Sequence, residues 1–202
     1  MPRAGVVVLI PESTRKAKGG DPHAKPVDAF AEALPTTTRD ALYLLRAEVA
    51  GKWKNTAAAD GLMPACWRYQ GNMYRHIPPD AWEHRKPEVE ILIASGLYGV
   101  VSSRDTIFAY PHSMAEATPP FGKLNRWWRN HGLAAILAAY LKSQKPKTVV
   151  DLLSLEYRES VAGYADELSG IDVRMINFPG VGCASQPRRG EKVAAILTTG
   201  KA

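Results

Sequence analysis

The stretch ILIASGLYGVVSSRDTIFAY, residues 91–110, decides the fold. Ile91, Leu92, Ile93 and Ala94 form an uninterrupted apolar run, the mark of a strand covered on both faces, and Ser95-Gly96 ends it. Gly96, Gly99, Ser102, Ser103, the Arg104-Asp105 pair and Tyr110 follow, and a core needs none of them. The pattern predicts a strand over Glu90–Ala94 whose carboxyl end opens into polar chemistry. The glycines of SGLYG suit a tight turn and close approach of another backbone.

Two further runs repeat this design. GVVVLI (Gly5–Ile10) leads into Pro11-Glu12-Ser13, and TVVDL (Thr148–Leu152) sets Asp151 after two valines. A fourth strand is expected over Ile171–Phe178. Between the strands, Leu42, Leu45 and Val49 predict a helix over Thr38–Ala50 with Thr37 or Thr38 as N-cap. Pro79 opens a short helix through Trp82. Trp128, Leu133, Ile136, Leu137 and Tyr140 predict the longest helix, Asn125–Leu141, and another is expected near Tyr157–Tyr164. Residues 51–64 read as a short helix ending near Gly61, and Glu191–Thr198 as a weak strand or short helix. Strands separated by helical segments predict an α/β domain over residues 1–202, a compact, mixed, twisted sheet flanked by helices. The irregular segments 11–37 and 95–122 exceed ordinary connection lengths, which marks them as places to look for function.

At 202 residues, 46% hydrophobic and 23% charged, the chain is ordinary globular material with enough length for a substantial core. The formal charge is +6. Its distribution matters more than its total. From Ala117 to Val150 stand Lys123, Arg126, Arg129, Lys142, Lys145 and Lys147 with no acidic residue. That window is either a solvated basic face or a phosphate-binding surface. Cys66 and Cys183 have no metal-site spacing, and no disulfide is expected. No apolar run is long enough for a membrane helix. MPRAGVVVLIP faintly imitates a leader, but Pro11-Glu12 interrupts it, so it reads as the first strand and the expected location is cytoplasmic.

If the three apolar strands lie side by side, Glu12, Ser13, Ser95, Arg104, Asp105 and Asp151 share one cleft beyond their carboxyl ends. Asp151, inside an apolar strand, needs a partner, with Arg158 or Arg68 in view. The competing reading makes the serines caps and Asp151 half of an ion pair. No GxGxxG, phosphate-loop, HExxH or GxSxG motif is present, and the five histidines lack ligand spacing. No metal or cofactor is expected. In TPPFGKLNRWWRNHG, Lys123, Arg126 and Arg129 recur along one helical face, and Trp127 and Trp128 either stack on bases or fill the core.

At these segments the sequence resembles the YaaA-type peroxide stress proteins, also known as uncharacterised protein family 0246. Leu9-Ile10-Pro11-Glu12-Ser13 with Lys16 and Lys18-Gly19-Gly20 is similar to the opening signature. Arg68-Tyr69-Gln70-Gly71 with Tyr74, Ser95-Gly96-Leu97-Tyr98-Gly99-Val100, and Phe121-Gly122-Lys123-Leu124 with Trp128-Arg129 follow in family order. So do Asp151-Leu152 with Ser154, Glu156 and Tyr157, and Arg188-Arg189-Gly190. Ser103 and Pro111 stand where the family has proline and arginine.

The resemblance implies a role in limiting oxidative damage through control of iron. It also implies a mixed α/β fold with a helix-hairpin-helix-like element at about residues 112–141, and a basic cleft linked to DNA binding. Carried over, it places Glu12, Asp105 and Asp151 in the cleft, and on the enzyme reading the carboxylates and tyrosines at strand ends make Glu12, Asp105, Asp151 and Tyr157 the catalytic candidates. Ligand or phosphate contacts fall to Ser13, Lys16, Arg68, Tyr69, Ser95, Gly96, Tyr110, Ser154 and Arg189. Nucleic-acid contacts fall to Lys123, Arg126, Trp127 and Arg129. Two functions stay open. One is a nucleic-acid-binding, stress-protective protein whose partner is DNA. The other is an enzyme acting on a nucleotide, nucleobase or modified nucleoside through Glu12 or Asp151. Direct iron or haem handling is the weakest by residue type.

Overall fold

The computed structural model describes residues 4–52, 61–180 and 182–202. The chain enters through β1 (Val6–Pro11), then α1 (Ala29–Glu32), α2 (Thr36–Gly51), β2 (Met63–Pro64), α3 (Ala65–Arg68) and α4 (Pro79–Glu83). Next come β3 (Val89–Ser95), β4 (Gly99–Ser102), β5 (Thr106–Ile107), β6 (Ala117–Thr118), β7 (Gly122–Lys123), α5 (Leu124–Asn130) and α6 (Leu133–Gln144). The last are β8 (Thr148–Asp151), α7 (Leu155–Ser160), β9 (Asp172–Met175) and α8 (Ser185–Thr199).

The apolar runs form the centre of a five-stranded twisted sheet ordered β4-β3-β1-β8-β9. β1 pairs in parallel with β3 and β8, β8 pairs in parallel with β9, and β4 returns antiparallel on β3. Every residue of β1 and β3 is buried, so helices cover both faces of the sheet centre. The fold is therefore mixed α/β with helices flanking the sheet.

β4 is an edge strand, yet it too is buried. Arg46 of α2 accounts for part of this: its guanidinium donates to the carbonyls of Tyr98 and Val100 at 2.8 Å each and pairs with Asp28. An arginine thus occupies hydrogen-bonding positions that an edge would leave open.

Several boundaries differ from the sequence expectation. α2 starts at Thr36 behind Pro35, so neither Thr37 nor Thr38 is its cap, and it buries Arg46 with Leu42 and Val49 while Leu45 is only half-buried. The single helix expected over Asn125–Leu141 is two, α5 and α6, because Gly132 takes a left-handed φ of 82° between them. This helix pair overlaps the span where a hairpin element was expected, with α6 running on to Gln144. The helix near Tyr157 ends at Ser160, and Gly163 turns the chain into a 3-10 turn at Tyr164–Glu167. β9 is shorter than Ile171–Phe178 and mostly exposed, as an edge strand allows. The weak terminal element is a full helix, α8, with Arg189, Val193, Ile196 and Leu197 on its buried stripe. The short helix expected within residues 51–64 falls mostly outside the described residues. Among the described residues, no helix is long and apolar enough to cross a membrane.

Candidate functional site

β1 lies between β3 and β8, and all three run in parallel, so their carboxyl ends meet at one edge of the sheet. Register places Pro11 opposite Ala94 and Leu9 opposite Asp151. The chain moves to one side of β1 to form β3 and to the other to form β8. This reversal leaves a crevice at the strand ends, the usual ligand position in open α/β sheets.

Glu12, the first residue past β1, organises that edge. Its Oε1 accepts the backbone N–H of Gly96 at 2.8 Å and of Met114 at 2.6 Å. Oε2 accepts the hydroxyl of Tyr110 and faces the Lys16 ammonium at 3.7 Å. Tyr110 shares its hydroxyl with Tyr69 and Ser95, each at 2.7 Å, and the Lys16 ammonium sits 3.9 Å over the Tyr110 ring. Burial pushes the Glu12 carboxyl up from its usual range, against the pull of Lys16 and the hydrogen bonds. Burial likewise pushes Lys16 down, against the pull of Glu12. Burial and the Glu12 charge hold the Tyr69 and Tyr110 hydroxyls protonated. The result is a fully engaged network that reaches the cleft wall through Glu12. It fixes two chain segments to β1 rather than presenting a free carboxylate.

Glycines make this closeness feasible. A Cβ on Gly96 would lie 2.9 Å from the Met114 nitrogen and 3.2 Å from Glu12 Oε1. Gly99 has φ +73° and lies under Trp128, whose indole N–H donates to the Gly96 carbonyl at 2.8 Å. A side chain at Gly71 would collide with Ser13.

Against this network lies a cleft of about 390 Å³, lined by Glu12, Ser13, Tyr74, Ser113, Ser154, Tyr157 and Gln186 among others. Burial raises the Tyr157 hydroxyl well above its ordinary value, against its hydrogen bond with Ser113. Sequence reading singled out Ser13, Ser154 and Tyr157 but missed Thr14, Asn72, Ser113 and Gln186. The Gly71-Asn72 pair directly follows the Arg68–Gln70 segment, which was the available signal. Ser113 and Gln186 carried none.

The other expected site residues divide. Asp151, fully buried, accepts from Arg158 Nε at 2.9 Å and Nη2 at 3.1 Å and from the Leu153 N–H at 2.9 Å. Arg189 lies beside it, its Nε donating to the Leu152 carbonyl at 2.9 Å. Arg68, also fully buried, directs its donors to the carbonyls of Ala17, Gly19, Gly61 and Ile107, and so ties the long first loop down.

Asp105 and Arg104 do not join the strand-end cleft. Asp105 accepts from the N–H groups of Ala29 and Phe30 at the start of α1 and from Ser102. Burial pushes its carboxyl up to about 7, with the N–H donors pulling the other way. Arg104 pairs with Glu90, near the opposite end of β3. The hairpin between β3 and β4 sends both residues back along the sheet.

On α5, both tryptophans point inward. Trp127 is buried, stacked on His131 and edge-on to Phe121, so base stacking would require its release. Arg126 and Arg129 reach Glu159 of α7 at 3.4 and 3.8 Å, while Lys123 is exposed. The acid-free window is thus partly neutralised in space by a carboxylate outside it. Among the described residues, no three of His, Cys, Asp or Glu gather as a metal-binding group.

A family model described as "Peroxide stress protein YaaA" matches residues 25–197. The chain belongs to that family. It is 27% identical over 154 residues to a UPF0246 protein of Ruegeria sp. (strain TM1040), covering 71% of this chain and 61% of that protein. A UPF0246 protein of Francisella tularensis subsp. novicida (strain U112) is 29% identical over 101 residues, 48% of this chain and 39% of the relative. The alignments therefore span between 39% and 61% of these relatives' lengths. Tyr69, Ser95, Tyr110, Tyr157 and Arg189 lie inside the matched YaaA span, whereas Glu12, Ser13 and Lys16 precede it.

Proposed function

We propose that this YaaA-family chain serves the peroxide stress response by binding a nucleotide-like small molecule in the strand-end cleft. The observation that carries this reading is the cleft's composition and support. Ser13, Thr14, Asn72, Ser113, Ser154 and Gln186 supply uncharged donors and acceptors, Tyr74 and Tyr157 supply flat apolar walls, and Glu12 and Glu156 add two carboxylates to the lining. Such a lining suits a heterocycle with a hydroxylated body, and about 390 Å³ lies within the range of about 300–1,000 Å³ common for ligand sites. Glu12, in the wall itself, holds Gly96 and Met114 in fixed positions, so the cleft is preorganised. Glu12 is on this reading a positioning residue.

The DNA reading draws less support, because Arg126 and Arg129 already face Glu159 and Trp127 is buried. The test is native mass spectrometry of the gently isolated protein, followed by calorimetry with purine and pyrimidine nucleosides. Tyr157→Phe and Ser154→Ala should each weaken nucleoside binding roughly 2- to 10-fold, the worth of one neutral hydrogen bond. Retention of DNA fragments with no nucleoside binding would overturn the proposal.

A further inference from the structure

Beyond the rim formed by Ser154, Glu156 and Gln186, the cleft continues into a second recess of about 570 Å³. Arg189 lines it, together with Phe178, Ser185 and Asn177. This arginine is only 6% exposed. Its Nε is used by the Leu152 carbonyl, and its guanidinium lies 5.1 Å over the Phe178 ring. Among the described residues, neither Nη nitrogen has a hydrogen-bond or ion-pair partner. Such an arrangement is uncommon for a buried arginine, whose fork normally meets an anion.

The local charge points the same way. Burial first, and then the neighbouring Arg158, disfavour the Arg189 charge, and the compensating carboxylate, Asp151, is already in the grip of Arg158. Two guanidinium groups therefore share one carboxylate. Glu156 on the exposed rim forms no ion pair with either among the described residues. The recess also lies at the start of α8, a 15-residue helix whose cap position, Ala184, provides no side-chain acceptor. A 3-10 turn, Gly182–Ala184, leads directly into α8 there. Gly190 fixes the approach, because any side chain there would collide with the Met73 carbonyl, and α8 is thereby held close to the cleft.

We propose that the Arg189 fork is an anion subsite that takes the phosphate of a nucleoside monophosphate whose base and sugar occupy the adjoining cleft. This rests on the small-molecule reading above for the body of the ligand, but not for the anion. The probes are adenosine, adenosine 5′-monophosphate and inorganic phosphate, titrated into wild type and Arg189→Gln by calorimetry, with thermal melts in parallel. The expected result is that the monophosphate binds wild type roughly 10- to 100-fold more tightly than the nucleoside, as one charge-assisted fork implies. Arg189→Gln should erase that gap and leave nucleoside affinity unchanged. Should this variant fail to fold, Arg189→Lys carries the same test, with the gap reduced rather than erased.

Equal binding of nucleoside and monophosphate by wild type would refute the subsite and leave the cleft reading standing. A phosphate gain that persists in Arg189→Gln would also refute it. If neither nucleoside nor monophosphate binds, yet inorganic phosphate stabilises wild type and not Arg189→Gln, the subsite stands and the nucleotide reading falls. If inorganic phosphate has no effect either, both are overturned.

Discussion

Replacing Glu12 by glutamine keeps the side chain's shape and removes its charge, which isolates what the carboxylate does. In the native network it accepts two backbone N–H groups and the Tyr110 hydroxyl, and it faces Lys16. The glutamine carbonyl can still serve Gly96 and Met114. Its NH2 group, however, then points a donor at the Tyr110 hydroxyl and at an ammonium whose side chain is only 4% exposed. Removing one partner of a buried pair costs about 3–5 kcal/mol. Release of the Lys16 proton, already eased by burial, trims the cost toward the lower end of that range. Lys16→Met should cost less, about 1–3 kcal/mol, because the carboxylate keeps its other three donors. The double variant should lose less than the sum of the two, since the unpaired charge is gone. Urea unfolding followed by far-UV circular dichroism, with slopes checked for constancy, measures all three. A Glu12→Gln loss below that of Lys16→Met, or strict additivity, would refute the account.

Asp105 gives a pH signature: its folded value near 7 lies above the ordinary 3.8, so the native state holds the proton more tightly. Its contribution is fully present below about pH 4 and is lost as the pH rises through about 7, on the order of 4 kcal/mol in all. Asp105→Asn should flatten that slope in urea melts across the window, and an unchanged slope would sink the assignment. Asp151→Asn leaves Arg158 without its carboxylate, so stability should fall by about 3–5 kcal/mol while cleft affinity stays within about twofold. Preserved stability with lost binding would reverse that structural reading. Replacing Lys123, Arg126 and Arg129 together by glutamine should shift nucleoside binding by no more than about twofold, because the arginine contacts with Glu159 are exposed ion pairs. Loss of DNA retention at low salt, with a salt slope lower by roughly three, would instead make α5 a nucleic-acid surface.

What was legible in the sequence follows from how strands are buried. β1, β3 and β8 are covered on both faces, so each reads as an unbroken apolar run, and all three were placed to within a residue or two. β4 was not, although it is buried, because Ser102 in it is satisfied by Glu90 and reads as loop. The break between α5 and α6 turns on one glycine's φ, which apolar periodicity does not register. α8 was obscured at its start by Pro187, Arg188 and Gly190; proline suits a first helical turn, and the glycine is required by a contact more than a hundred residues away in sequence. The site shows the same division. Glu12 and Ser13 reach the cleft directly from the end of β1, whereas Ser113 and Gln186 reach it through loops and a helix that no periodicity anticipates. Arg104 and Asp105 were misplaced because the β3–β4 hairpin turns the chain back, which the polar composition of SGLYGVVSSRD does not reveal.

The hairpin also explains why the basic helix and the cleft cannot be treated as separate devices. Its turn is gripped from both sides: Glu12 of the β1 end holds the Gly96 N–H, and Trp128 of α5 holds the Gly96 carbonyl. Gly99 brings the strand under the same indole, where a Cβ would stand 3.0 Å from the ring. The apolar face of α5 is therefore a buttress for the turn, and its tryptophans serve the core. The arginines on the outer face hold Glu159 of α7, the helix that carries Tyr157 into the cleft and Arg158 onto Asp151. A perturbation of the α5 arginines thus has a short physical path to the cleft wall through α7. Weakened DNA retention in the triple variant counts as evidence for a nucleic-acid surface only if nucleoside affinity is measured on the same protein and found intact.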